Sequence, residues 1–205
     1  MNNHTYLDKI YQVDSDAEMR EAYDQWADNY DTELSQHQYC TPKRVAEALA
    51  RHLSDFQAPL LDFACGTGLS GQALKHQGFT CIDGIDLSPN MLAQARKKAV
   101  YRSLKVCEPQ SPFASSTDAY RAIVATGAIG AGAAPIECLS DAIDHLPSGA
   151  LLCVSLNDHT LEDPRYESII EAATKAGIIH VLEDQYGDHL PNIGLGAKVF
   201  VLQKQ

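Results

Sequence analysis

The feature that most constrains the fold is the run Leu60-Leu-Asp-Phe-Ala-Cys-Gly-Thr-Gly-Leu-Ser-Gly71, followed by Ile85-Asp-Leu-Ser-Pro-Asn-Met-Leu92. The first run is an apolar strand entering a glycine turn. The second is an apolar strand that ends in a carboxylate, Asp86. A nucleoside ligand needs this pair side by side: glycines let the backbone approach it, and an acid on the neighbouring strand accepts from both ribose hydroxyls. The glycine spacing alone leaves the ligand open. Gly66-Thr-Gly68-Leu-Ser-Gly71 satisfies G-x-G-x-x-G, with Asp86 about 20 residues on, as a dinucleotide site requires.

Three features favour S-adenosylmethionine over a dinucleotide. Asp62 stands inside the strand, shortly before Gly66. A carboxylate there is costly to bury unless it meets a polar or cationic group, and the amino end of S-adenosylmethionine is such a group. The strand begins only near Leu60, whereas many dinucleotide folds place it close to the N-terminus. The chain also closes on a pair of strands rather than on a second dinucleotide-binding half.

At these residues the sequence resembles a known family. Asp62-Phe-Ala-Cys-Gly-Thr-Gly68 and Asp86-Leu-Ser-Pro-Asn-Met91 resemble the first and second motifs of class I S-adenosylmethionine-dependent methyltransferases. Tyr23-Asp-Gln-Trp-Ala-Asp-Asn-Tyr-Asp31 resembles a pattern in one branch, the small methyltransferases similar to the Williams–Beuren-syndrome-region methyltransferase-like protein. The resemblance covers roughly residues 20 to 203. It departs at Ala64, where the commoner pattern has glycine; the expectation is that Gly66 and Gly68 make the tight turn, so that a methyl group is tolerated.

Site roles follow from the residues and the resemblance together. Gly66 and Gly68 form the turn, Asp62 anchors the amino end of the methionine moiety, and Asp86 accepts from the ribose. Asp83 competes for that last role and is read as solvating a strand edge. Leu87 and Met91 sandwich the adenine. The resemblance implies that Glu108, where the family often has aspartate, reaches the adenine amino group, and that Thr126 and Gly127 face the methionine moiety. Tyr23, Trp26 and Tyr30 recur at helical spacing. They form either core packing or a lid with an aromatic face toward the sulfonium.

With 27 acidic against 16 basic residues, the net charge of −11 works against nucleic acid, whose binding relies on lysine and arginine at phosphates. Arg96-Lys-Lys98 is read as a solvated helix face. No apolar run is long enough to span a membrane and the first residues carry no apolar signal, so a cytoplasmic protein with no membrane partner is expected. Six cysteines without paired spacing predict free thiols, and scattered histidines predict no metal.

Along the chain, helices are expected over 17–35 and after Thr41-Pro42, the latter pair acting as a cap. Strands are expected at 59–64, 80–86, 103–107, 122–126, 150–156, 178–182 and 198–202, with a helix between each successive pair of the first six except the third and fourth. Alternating βα units predict a Rossmann-like α/β fold with helices on both faces. The resemblance makes it a seven-stranded, mostly parallel sheet with an antiparallel C-terminal strand, preceded by an N-terminal helical lid. Residues 1–40 form that lid and 41–205 the S-adenosylmethionine-binding domain.

The function so implied is methyl transfer to a small molecule, ahead of a protein side chain, by in-line displacement, in a monomer or weak homodimer. The loop 127–135 and the segment 183–196 border the acceptor. No Asp/Asn-Pro-Pro-aromatic motif follows strand four, which argues against base or amide nitrogen as acceptor. Asn157, Asp158, His159, Tyr186 and His189 are candidate groups near it, and none is singled out as a base. Two alternatives stand: a non-catalytic S-adenosylmethionine-binding module, and an NAD(P)-dependent oxidoreductase.

Overall fold

A computed structural model describes residues 16–109, 112–113 and 117–205; positions 1–15 of the expected lid lie outside them. Strands β1 (Leu60–Phe63), β2 (Ile82–Asp86), β3 (Ser103–Val106), β4 (Ala122–Ala125), β5 (Leu151–Asn157), β6 (Ile179–Leu190) and β7 (Leu195–Lys204) form one sheet. Its order is β3-β2-β1-β4-β5-β7-β6, and β7 runs antiparallel to both neighbours. The order reverses between β1 and β4. Crossovers leave in opposite directions there and open a crevice at the carboxyl ends of the strands.

The core follows from side-chain alternation along buried strands. Leu60, Ala122, Val124, Leu151 and Cys153 face one side with Val45 and Leu49 of α3 (Thr41–His52) and Leu74 of α4 (Leu69–Gln77). Leu61, Phe63, Ile123, Leu152 and Val154 face the other, with Leu139 and Ile143 of α6 (Glu137–His145) and Ile170 of α8 (Arg165–Lys175). Helix α5 (Pro89–Lys98) is capped by the Ser88 hydroxyl, which accepts from Met91 N, as the Ser-Pro signal predicts.

Several expectations change. The helix over 17–35 divides into α1 (Asp16–Trp26) and α2 (Tyr30–Gln36). Asp28 and Asn29 at the break are poor helix formers, and the break lets Trp26 Nε1 donate to Glu33 Oε2 at 2.9 Å. Thr41 is not a cap: its hydroxyl is 2.7 Å from His189 Nδ1, and Arg44 lies in the same first turn. The segment 183–196, expected as a loop, is most of a long hairpin closed by the 3₁₀ turn Pro191–Ile193. Its polar residues carry no apolar pattern. Their order comes from pairing with β7 and from Arg44, which donates to the carbonyls of Gln185, Asp188 and Ala197 at 2.9 Å each. A one-turn helix, α7 (Asp158–Leu161), also escaped the sequence reading; Asn157 caps it.

Candidate active site

The glycine turn is left-handed at three positions: Ala64 (φ 49°), Gly66 (φ 54°) and Gly68 (φ 89°). Ala64 therefore takes part in the turn, contrary to the expectation that Gly66 and Gly68 make it alone. An alanine there carries about 1–2 kcal/mol of left-handed strain. Gly68 is needed for space as well as for φ, since a Cβ would fall 2.9 Å from the Tyr101 ring. Gly71 is needed because a Cβ would collide with the Tyr101 hydroxyl.

The turn is tied to β2 through Asp86. Gly66 N donates to its Oδ2 and Ser88 N to its Oδ1, both at 2.8 Å. Burial raises the Asp86 carboxyl above its ordinary value, while the two N–H donors pull it back. Asp83, expected at a solvated edge, is buried instead; it accepts from Arg102 Nε at 3.0 Å and from the Tyr120 hydroxyl at 2.9 Å.

Asp62 is 1% exposed. Its Oδ2 accepts from Ser70 Oγ at 2.6 Å and from the Tyr101 hydroxyl at 2.7 Å. Burial pushes its carboxyl up to about 7, against the pull of those two bonds, with Asp86 adding to the rise. Asp62 Oδ1 and Thr126 Oγ1 are buried without a hydrogen-bond partner. Such atoms cost free energy unless a ligand or water meets them.

A cavity opens at the ends of β1, β2 and β4. Of the residues expected at the cofactor, Tyr23, Tyr30, Ala64, Gly66, Asp86, Leu87, Met91 and Thr126 line it, as does Gly127. Trp26, Asp62, Gly68 and Glu108 do not. Glu108 is exposed, whereas its neighbours Cys107 and Pro109 face the cavity. Trp26 is buried against Leu34 and Leu190 and lines a second, adjoining cavity. Burial pushes the Cys107 thiol up to about 12 and raises that of Cys65 well above its usual value, which disfavours the thiolate form of both.

Helix α1 and the turn after it lie over the cavity. The Tyr23 hydroxyl donates to Gly132 O at 2.8 Å across the opening. Asp24 accepts from the Ser88 hydroxyl, and Gln94 Nε2 donates to Asp28 at 2.5 Å. Asp31 accepts from Thr67 Oγ1 and Lys98 Nζ, at 2.5 Å each. Lys98 is therefore a latch, not the solvated helix face the sequence predicts. Tyr39, which sequence reasoning missed, places its hydroxyl over Gly127, 2.6 Å from where a Cβ there would stand. It faces both cavities.

Residues 60–149 match the family described as Methyltransferase domain. Methyltransferase-like protein 27 of Homo sapiens is 31% identical over 153 residues, 73% of this chain and 62% of the human protein. The chain thus spans less than two thirds of that relative's length. Residues 60–149 are therefore a methyltransferase domain. Two solved structures share its fold. A putative methyltransferase in complex with the Haloferax volcanii Trm112 activator has a TM-score of 0.63 at 17% identity, covering 91% of this chain and 98% of that one. A Thermotoga maritima S-adenosylmethionine-dependent methyltransferase, a possible histamine N-methyltransferase, has a TM-score of 0.62 at 15% identity, covering 91% of this chain and 100% of that one.

The family's cofactor, S-adenosylmethionine, fits what the methyltransferase domain offers. The unpartnered Asp62 oxygen could meet a cation, the Asp86 carboxylate could accept from hydroxyls, and Leu87 and Met91 could flank a ring. A Cβ on Gly66 would meet no protein atom within 4 Å, so the turn leaves open space above its backbone. Among the described residues no three His, Cys, Asp or Glu side chains are grouped to hold a metal, and no helix is long and apolar enough to cross a membrane.

Proposed function

We propose that this domain methylates a small-molecule acceptor by in-line displacement. The observation that carries the reading is the cavity at the sheet's switch point, with the Gly66 turn and the Asp86 carboxylate in its wall and Tyr23 and Tyr30 along the side that α1 covers. When bound, S-adenosylmethionine supplies a methyl group activated on a sulfonium. The protein's own work is to bind, align and exclude water.

In this reading Asp86 holds the ribose hydroxyls, Leu87 and Met91 the adenine, and Gly66 and Ala64 the chain between them. Asp62 and Thr126 hold the methionine end, Asp62 through its free oxygen and through Ser70, which itself lines the cavity. Gly68 and Trp26 act one layer back, through Tyr101 and Tyr30 respectively. Glu108 marks the rim. Residues 1–40 act as a lid on residues 41–205, supported by the bonds from Tyr23, Asp24, Asp28 and Asp31.

A small acceptor is supported by how the opening is spanned: Tyr23 already reaches Gly132, which leaves little room for a macromolecular surface. Six free cysteines support a reducing, cytoplasmic setting. Monomer or weak homodimer remains the expected state. Calorimetric titration with S-adenosylhomocysteine, with NADH as control, tests the reading; micromolar binding of the first alone is expected. The Asp86→Ala variant should bind at least tenfold more weakly. Unchanged affinity would show that Asp86 is not the ribose acceptor, and binding of NADH alone would overturn the reading.

A further inference from the structure

The second cavity adjoins the first. Tyr23, Tyr30 and Tyr39 face both, as do Gly127 and Ala133. Its remaining lining includes Trp26, Asn157 and His189, and among the described residues no lining side chain is a lysine, arginine or carboxylate. An anion placed there would be desolvated against aromatic faces without a counter-charge, which is costly. Flat neutral rings match the walls.

His189 is the one imidazole in this lining among the described residues; its ring is held from two sides and its backbone from a third. Nδ1 is 2.7 Å from the fully buried Thr41 hydroxyl. The Tyr39 ring meets it edge-on at 5.1 Å between centroids. Its own carbonyl accepts from Cys40 N at 3.0 Å. With Nδ1 engaged, Nε2 is the nitrogen left to meet a ligand. Asn157 Oδ1 is likewise committed to Thr160 N and Oγ1, at 3.0 and 2.8 Å, which leaves its amide nitrogen to donate.

We propose that the second cavity binds a neutral, ring-bearing hydroxyl compound as methyl acceptor, and that His189 Nε2 takes the hydroxyl proton as that oxygen is methylated. This rests on the methyltransferase reading above. The oxygen–carbon bond forms as the methyl–sulfur bond breaks, and the bonding pair of the latter stays on sulfur. The hydroxyl proton passes to Nε2, with Nδ1–H donating to Thr41 Oγ1, and is then lost to water.

The electrostatics agree with a base kept in its neutral form. Burial pushes His189 down to about 4. Asp158 of α7 opposes that shift, while Arg44 of α3 and His159 of α7 reinforce it. Asp158 is occupied by the Tyr186 hydroxyl at 2.9 Å and Gly196 N at 2.6 Å. Arg44 is occupied by three hairpin carbonyls. Nε2 is therefore unprotonated throughout the neutral range but weakly basic, so it accepts a hydrogen bond from the hydroxyl and takes the proton only as the carbon–oxygen bond forms and the oxygen becomes strongly acidic.

The test uses the full chain saturated with S-adenosylhomocysteine, titrated by fluorescence with 2-naphthol and separately with 2-naphthoate. The neutral probe should bind, and the anion at least tenfold more weakly. In His189→Gln, 2-naphthol affinity should fall at least tenfold while S-adenosylhomocysteine affinity holds. With ¹⁵N-labelled histidine, 2-naphthol should move the Nε2 resonance of His189, identified by its coupling to the Thr41 hydroxyl. No binding of 2-naphthol, or equal binding of 2-naphthoate, overturns the proposal, as does an unmoved resonance. If His189→Gln fails to fold or loses S-adenosylhomocysteine binding, the resonance in the parent protein decides alone. Failure of the parent to bind S-adenosylhomocysteine at all refutes the methyltransferase reading itself and takes this proposal with it.

Discussion

Asp62 makes the stability of this domain depend on pH in an unusual sense. Its carboxyl is pushed from an ordinary 3.8 up to about 7 by burial. Below the lower value the group is protonated folded and unfolded, and contributes nothing. Between the two values the unfolded chain has released the proton and the folded chain keeps it, so stability falls as pH rises. The slope is about 1.4 kcal/mol per pH unit, and a rise of about three units gives a loss of about 4 kcal/mol that is complete above about pH 7. From about pH 5.5 to about pH 8, roughly 2 kcal/mol of that loss should be visible. The Asp62→Asn variant keeps an oxygen for Ser70 and Tyr101 but cannot ionise. Urea unfolding of parent and variant across this range should therefore show the variant gaining on the parent by that amount. A difference in stability that stays constant with pH would refute the reasoning, since every other titrating group is common to both proteins.

Tyr101→Phe removes the acceptor of Gly71 N and a donor to Asp62; it should cost about 1–3 kcal/mol by urea unfolding and move the Asp62 transition to higher pH. Ala64→Gly relieves a left-handed alanine and should raise stability by up to about 1 kcal/mol, a gain that thermal unfolding would detect; a loss would mean the Ala64 methyl group contributes packing. Replacing both Asp24 and Asp31 by asparagine should speed proteolysis within residues 16–36, because the contacts to Ser88, Thr67 and Lys98 all weaken. The same segment in the parent should become more resistant when S-adenosylhomocysteine is added, and unchanged cleavage would count against a lid.

The glycine turn and Asp86 were legible because their chemistry is local: φ at Gly66 and Gly68 and a carboxylate at a strand end show in a few residues. Buried strands β1, β4 and β5 were legible from their apolar runs. The hairpin was not, because Glu183 to Asp188 pair with β7 while bearing the residues of a loop. Nor was the use of Tyr101, which is distant in sequence from both Gly71 and Asp62. Asp83 and Lys98 read as solvated because their partners, Arg102 with Tyr120 and Asp31, are supplied by the fold. The motif's third glycine was read as part of a ligand loop; the structure adds that it makes room for a tyrosine.

The Thr41–His189 contact joins positions 148 residues apart, and it has a consequence for the order in which this chain acquires its parts. Emerging from the ribosome, residues 60–127 can pair β1, β2 and β4 and shape the first cavity while the remainder is still being made. The second cavity has no such early form. Its walls come from α1 and α2 at the beginning of the chain and from the end of β6, so the leading helices wait, with Trp26 and Leu34 unburied, until Leu190 arrives to cover them. Newly made copies should pass through an interval in which the floor of the first cavity is formed, the second is still open, and an aromatic surface is exposed to whatever binds such surfaces in the cell.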